Sequence, residues 1–124
     1  MANQKQFGVW MDTHQATVVA TSENAEKAEP VILAHVTGEE AAPNSNEKTE
    51  QNHKKSLQAK FFKEISAHLQ NATHVHITGT GQVQEQFIHY LAETPQFKNT
   101  QTAESTSNKM SDEKLLTFFA DKLN

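Results

Sequence analysis

The middle of the chain changes its apolar spacing twice in succession, which limits the folds open to it. Apolar residues first recur every fourth position, as on the buried side of an amphipathic helix: Leu57, Phe61, Ile65 and Leu69. The run THVHITG at 73–79 then alternates, with Val75 and Ile77 on one side, as in a strand. Gly79-Thr80-Gly81 predicts a tight turn into a second helix at 82–92. Helix, strand and helix in succession favour an α/β fold with helical crossovers.

Strands are predicted before this unit. FGVWM at 7–11 and ATVVA at 16–20 flank the polar turn Asp12–Gln15, which indicates a β-hairpin. VILAHV at 31–36 follows Pro30 and is rich in β-branched residues, so it predicts a third strand. The chain therefore starts with a hairpin and one further strand.

The C-terminal part predicts an edge strand and a last helix. Residues 98–104 favour the strand, and Ser111 is suited to cap a helix with Asp112 and Glu113 in its first turn. Its inward side is apolar: Leu115, Leu116, Phe118, Phe119 and Leu123. We therefore expect an α/β sandwich in which about three helices pack on a mixed sheet, as one domain over 1–124.

One long polar segment separates the early strands from the first helix. Residues 37–51, TGEEAAPNSNEKTEQ, contain Gly, Pro, Asn and Ser and no apolar period. Such long loops in small domains are usually functional or disordered. We predict a mobile loop at about 38–51, followed by a helix from about Asn52 to Gln70.

The composition excludes several classes of function. The chain has no cysteine, so disulfides, thiolate metal sites and cysteine nucleophiles are excluded, and a reducing cytoplasm is expected. Neither a secretory signal nor an apolar run long enough for a membrane span is visible. All eleven basic residues are lysine, which disfavours bidentate recognition of guanine or phosphate.

The charge is unevenly distributed although the net charge is only -4. Residues 23–50 are strongly acidic, whereas 51–63 contain four lysines and no acid. The basic segment comprises His53, Lys54, Lys55, Lys60 and Lys63. A solvated helix face explains such a pattern, and so does a surface for a phosphate backbone, which we expect to bind in a salt-dependent way.

The glycine turn is the second candidate site. Gly79, Thr80, Gly81 and Gln82 connect a strand to a helix N-terminus, where backbone N–H groups can bind an anion or a partner. A dinucleotide fingerprint requires a third glycine where Gln84 stands, and the lysine of a P-loop is also missing. A simple βα turn, an anion site and a macromolecular contact all remain open.

Other catalytic and metal sites have little support. His74 and His76 share one strand face and could chelate, but their third ligand would have to come from a distant residue such as His68, His89 or Glu64. No G-x-S-x-G nucleophile elbow occurs. We therefore expect no catalytic residue, no metal and no cofactor.

Three segments together resemble a known family. They are FGVWMDTHQATVV, KFFKEISAHLQNATHVHITGTGQVQEQFIHYL and KMSDEKLLTFFADKL. This pattern resembles the middle domain of class-1 translation release factors of eukaryotes and archaea, the related domain of the ribosome-rescue factor Pelota, and small bacterial translational machinery proteins. The resemblance implies an RNase H-like fold and a place at the ribosome.

The chain departs from that family at the motif for peptide release. In the release factors, the loop before the long helix carries Gly-Gly-Gln, whereas here 37–51 contain only Gly38 followed by two glutamates. Gly79-Thr80-Gly81-Gln82 lies after the later strand and is not that motif. We expect a non-catalytic protein that binds the ribosome, its RNA or a translation factor. The alternative is a small-anion or nucleotide binder, with or without enzymatic activity, that uses the glycine turn.

Overall fold

The computed structural model describes residues 6–12, 14–21, 30–38 and 47–122, with side chains of the first helix described from Leu57 onward. The strands are β1 (Gln6–Met11), β2 (Gln15–Thr21), β3 (Pro30–Thr37), β4 (His74–Gly79) and β5 (Gln101–Thr106). The helices are α1 (Glu47–Ala67), α2 (Gln82–Glu93) and α3 (Asp112–Lys122), with one 3₁₀ turn at Pro95–Phe97. The predicted order of elements is confirmed.

The five strands form one mixed sheet in the order β3-β2-β1-β4-β5. β2 runs antiparallel to both β1 and β3, whereas β1, β4 and β5 are parallel. The hairpin is closed by Asp12, whose Oδ1 accepts hydrogen bonds from the backbone N–H groups of His14 and Gln15 at 2.7 Å each. A short side chain that bonds the backbone two and three residues on is a common way to build such a turn.

Helices cover both faces of the sheet, which gives three layers. On one face, α1 and α2 pack on β1 and β4 through a large core, and the rings of Phe62 and Phe87 meet edge to face at 5.2 Å. On the other face, α3 packs on Trp10 and Val19 through Leu115 and Phe119. The alternation predicted for β4 is confirmed, because Val75 and Ile77 belong to the larger core.

The predicted boundaries of two elements, α1 and β5, are wrong. α1 runs from Glu47 to Ala67 rather than from Asn52 to Gln70, so the helix includes residues 47–51 of the predicted loop. Glu, Lys and Gln favour helices without supplying an apolar period, which explains why the spacing missed this start. Residues 39–46 lie outside the described part, so the mobility of the loop stays a prediction. β5 begins three residues later than expected, at Gln101.

Candidate functional site

One end of the sheet brings both candidate sites to the same side of the molecule. It is formed by the carboxyl ends of the parallel strands, where Gly79 pairs with Met11 on one side and with Thr106 on the other. The hairpin turn and the end of β3 lie there too, because Gly38 N–H donates to the carbonyl oxygen of His14 at 2.7 Å. In open α/β sheets, ligands commonly bind outside this edge.

Helix α1 reaches this end at Lys60. Lys60 lines a small cavity of about 30 Å³ together with Thr37 and Gly38, at the end of β3. Ten residues further on, Gln70 lines a cavity beside Phe7 and Leu33, near the opposite end of the sheet. The part of α1 between these cavities therefore covers the length of the sheet. Leu57 lines the same cavity as Lys60, and the ten residues of α1 before Leu57 continue past the carboxyl-end edge by roughly 15 Å if the helix stays straight.

The basic segment lies along α1. Lys60 and Lys63 are exposed, while Phe61, Phe62 and Ile65 between and beside them are buried. The structure thus places these two lysines on the solvent side of the helix. His53, Lys54 and Lys55 lie on its earlier turns, and their side chains lie outside the described part of the protein.

Gly79 has a steric role in the glycine turn. A Cβ atom at this position would collide with the carbonyl oxygen of Met11 on the adjacent strand. A Cβ at Gly81 would meet nothing within 4 Å. Of the two glycines, only Gly79 therefore lacks the space for a side chain.

Gln84 fills the turn from the inside. This side chain is fully buried, and its Nε2 donates to the carbonyl oxygens of Gly79 at 3.2 Å and Ser105 at 3.1 Å. Its Oε1 accepts a hydrogen bond from Gly81 N–H at 3.2 Å. Gln84 thus caps α2 and ties it to the ends of β4 and β5. The only signal in the sequence was a glutamine at the third position of the helix, which is typical of a capping box.

These contacts bear on the anion-site hypothesis for the turn. Thr80 and Gln82 are exposed at the α2 N-terminus, next to Gly79 and Gly81 as expected from the sequence. However, the N–H of Gly81 already has an internal acceptor in Gln84. A helix N-terminus recognises anions through such N–H groups, so this internal bond competes with an external ligand.

His74 and His76 share one face of β4, as predicted, and α3 packs on that face. His76 Nε2 is 2.8 Å from Ser105 Oγ, and its ring packs edge-on against Phe118 and Phe119 at 5.9 and 6.0 Å. Burial, aided by the positive charge of Lys122, lowers the pKa of His76 below its ordinary value. His74 Nδ1 lies 3.0 Å from Thr73 Oγ1.

The lowered pKa of His76 predicts a loss of stability in acid. Protonation of His76 is less favourable in the folded state than in the unfolded state. The folded state therefore keeps its full stability above about pH 6.5, the ordinary pKa of histidine, and loses stability as the pH falls below that value. Between about pH 7.5 and pH 5.5, the free energy of unfolding should fall less in His76→Gln than in the parent protein. Urea denaturation at the two pH values measures this difference. His89→Gln, at an exposed site on α2, is the matched control and should follow the parent. A parallel loss in His76→Gln and the parent would contradict the prediction.

Other candidate ligands do not converge. Among the described residues, no group of three or more His, Asp or Glu side chains could hold a metal ion. His89 lies 4.0 Å from Glu85 on the exposed side of α2, whereas His68 lies at the end of α1. The described part of the chain contains no helix that is long and apolar enough to cross a membrane.

Comparison with known proteins identifies the fold. No protein-family model matches the sequence, and no curated protein matches it significantly. Among solved structures, the Pelota protein of Thermoplasma acidophilum is similar, with a TM-score of 0.60 and 17% identity over 94% of this chain and 32% of that chain. The archaeal translation termination factor aRF1 has a TM-score of 0.59 and 17% identity, with coverages of 97% and 35%. The Archaeoglobus fulgidus Pelota has a TM-score of 0.59 and 15% identity, with coverages of 98% and 33%.

The predicted fold class is confirmed by these neighbours. The chain is an α/β protein whose mixed five-stranded sheet and three helices match a part of Pelota and of aRF1. It spans about a third of the length of these structures. At such low identity the likeness concerns the fold.

Proposed function

We propose that the protein is a translation-associated module that binds the ribosome through ribosomal RNA and releases no peptide. The observation that carries the proposal is the position of the basic segment. Lys60 and Lys63 are exposed on the helix that continues past the carboxyl-end edge, and Lys54 and Lys55 precede them on the same helix. The binding experiments described below distinguish ribosomal RNA from a translation factor as the partner.

The fold supports a role in translation. One of the similar structures is described as an archaeal translation termination factor, and two are Pelota proteins. Nearly the whole of this chain aligns with one third of each of them. Because a fold alone does not define a function, we infer the binding partner from the charged surface.

The electrostatics favour RNA as the partner. The four lysines of 51–63 form a positive segment in a chain whose net charge is -4. Lysine is a compact point charge that suits a phosphate backbone, whereas base-specific bidentate contacts prefer arginine, which this chain lacks. We therefore expect contact with the RNA backbone and little sequence preference.

Peptide release is expected to be absent. The chain contains no Gly-Gly-Gln, so nothing in it corresponds to the release motif of the factors it resembles. When ribosomes loaded with labelled peptidyl-tRNA are incubated with the protein, the amount of freed peptide should equal that of a buffer control. Release clearly above the buffer control would contradict this part of the proposal.

Binding is tested with purified ribosomes and labelled protein. We expect saturable binding that weakens steeply as the salt concentration rises, since each lysine–phosphate contact releases counterions. Ribosomal RNA freed of protein should compete for the labelled protein. If isolated translation factors compete and this RNA does not, the partner is a protein and the proposal is wrong.

A further inference from the structure

A third cavity lies at the opposite end of the sheet from Lys60. It is an open cavity of about 330 Å³ on the α3 face, near the amino ends of the parallel strands. Its lining is polar apart from two small apolar residues: Gln6, His74, Val75, His76, Gln101, Thr102, Ala103 and Lys122. Neither the basic segment nor the glycine turn contributes to it.

The register of the sheet explains why the cavity is open. Gln6, His74 and Gln101 are paired across β1, β4 and β5, so their side chains leave the same face of the sheet side by side. The next row on this face is Gly8, His76 and Ala103, in which only the histidine is large. Phe119 of α3 lies over Gly8, so close that a Cβ there would be 2.5 Å from the ring. The described part of α3 ends before it covers the row that contains His74, so this row stays open.

The ionisable side chains that line the cavity are all basic. Lys122, in the last turn of α3, lines the cavity together with the two imidazoles. None of the described residues that line it is acidic. Lys122 Nζ lies 5.7 Å from the centroid of the Phe118 ring, and no described carboxylate forms an ion pair with it. An ammonium group beside two imidazoles opposes a cation and favours an anion.

We propose that this cavity binds a phosphate group, either as the free anion or as a monoester. Lys122 supplies the positive charge, and imidazole N–H groups of His74 and His76 supply donors in a partly buried setting. Gln101, which leaves the same face of the sheet as His74, adds a neutral amide donor at the rim. Charge-assisted hydrogen bonds to a phosphate are the strongest that such side chains form. The proposal is independent of ribosome binding, because no residue is shared between the two surfaces.

The test uses the imidazole NMR signals of the intact protein. Inorganic phosphate is titrated at fixed pH, with sodium chloride of equal ionic strength as the reference. We expect a saturable shift of the His74 and His76 signals with phosphate, and none with chloride. Lys122→Gln should weaken the affinity about tenfold. Lys114→Gln, at an exposed site earlier on α3, is the matched control and should leave it unchanged.

A second readout separates a site from a change in folding. Sulfate keeps its charge between about pH 5 and pH 8, and it should raise the pKa of His76 at the same concentration in the parent and in Lys114→Gln but only at about tenfold higher concentration in Lys122→Gln. Adenosine monophosphate and adenosine then distinguish the sources of the phosphate group. If only the inorganic anion shifts the signals, the ligand is a free anion; if the monophosphate also does, the site accepts a monoester. Equal shifts with chloride and phosphate, or full retention of affinity in Lys122→Gln, would overturn the proposal.

Discussion

Replacing Gly79 with alanine is expected to lower the free energy of unfolding by about 3 kcal/mol, because the new methyl group collides with backbone. The Cβ would run into the carbonyl oxygen of Met11, which belongs to the central strand β1. A clash with the end of a flexible side chain can be relieved by a change of rotamer. Here two paired strands would have to move apart, and the turn into α2 would move with them.

Gly81→Ala is the matched control for this variant. It changes the same residue type two positions away, where the added methyl group meets nothing within 4 Å. Its loss should stay within about 1 kcal/mol, the cost of alanine at a helix N-cap. Both values come from urea denaturation followed by circular dichroism. Equal losses in the two variants would contradict a steric role specific to Gly79.

Replacing Lys54 and Lys55 with glutamine is expected to have the largest effect on RNA binding. Four lysine–phosphate contacts give a log–log salt slope of about -3 to -4, and removal of two should flatten that slope by roughly two units. The affinity near 0.1 M salt should fall by about 50-fold, in line with that change of slope. Fluorescence anisotropy with labelled RNA over a range of salt concentrations measures both quantities.

The control for this double variant removes the same charge elsewhere. Lys109 and Lys114 are exposed before and within α3, on the side of the sheet away from α1. Lys109→Gln with Lys114→Gln should therefore leave the slope unchanged, and both double variants should retain the parental stability. If the Lys54 and Lys55 variant binds RNA with unchanged affinity and slope, the basic segment is only a solvated helix face.

Apolar spacing was sufficient to predict most of the fold. The change in the spacing of apolar residues, from every fourth position to every second, predicted α1 and β4. Both spacings arise because one face of the helix or strand is buried. The same reasoning missed the first turns of α1, where Glu, Lys and Gln carry no apolar period. The predicted position of β5 was wrong because all residues of this strand but one are exposed. Pairing with β4 defines the strand, and burial does not.

The candidate sites were less accessible to sequence reasoning. The glycine turn was recognised, but Gln84, which fills it, is a polar residue whose burial depends on carbonyl oxygens from β4 and β5. The cavity beside His74 and His76 was also missed as an anion site. Lys122, which supplies the positive charge, is distant in sequence and is brought near only by the path of α3.

Co-sedimentation with ribosomes from a lysate at low and at high salt tests whether the protein binds the ribosome through the basic segment of α1. We expect the protein to sediment with the ribosomal fraction at low salt and to leave it at high salt. The Lys54 and Lys55 variant should stay in the supernatant under conditions where the Lys109 and Lys114 variant sediments. Recovery of the parent protein in the supernatant at low salt would contradict the proposed ribosome binding.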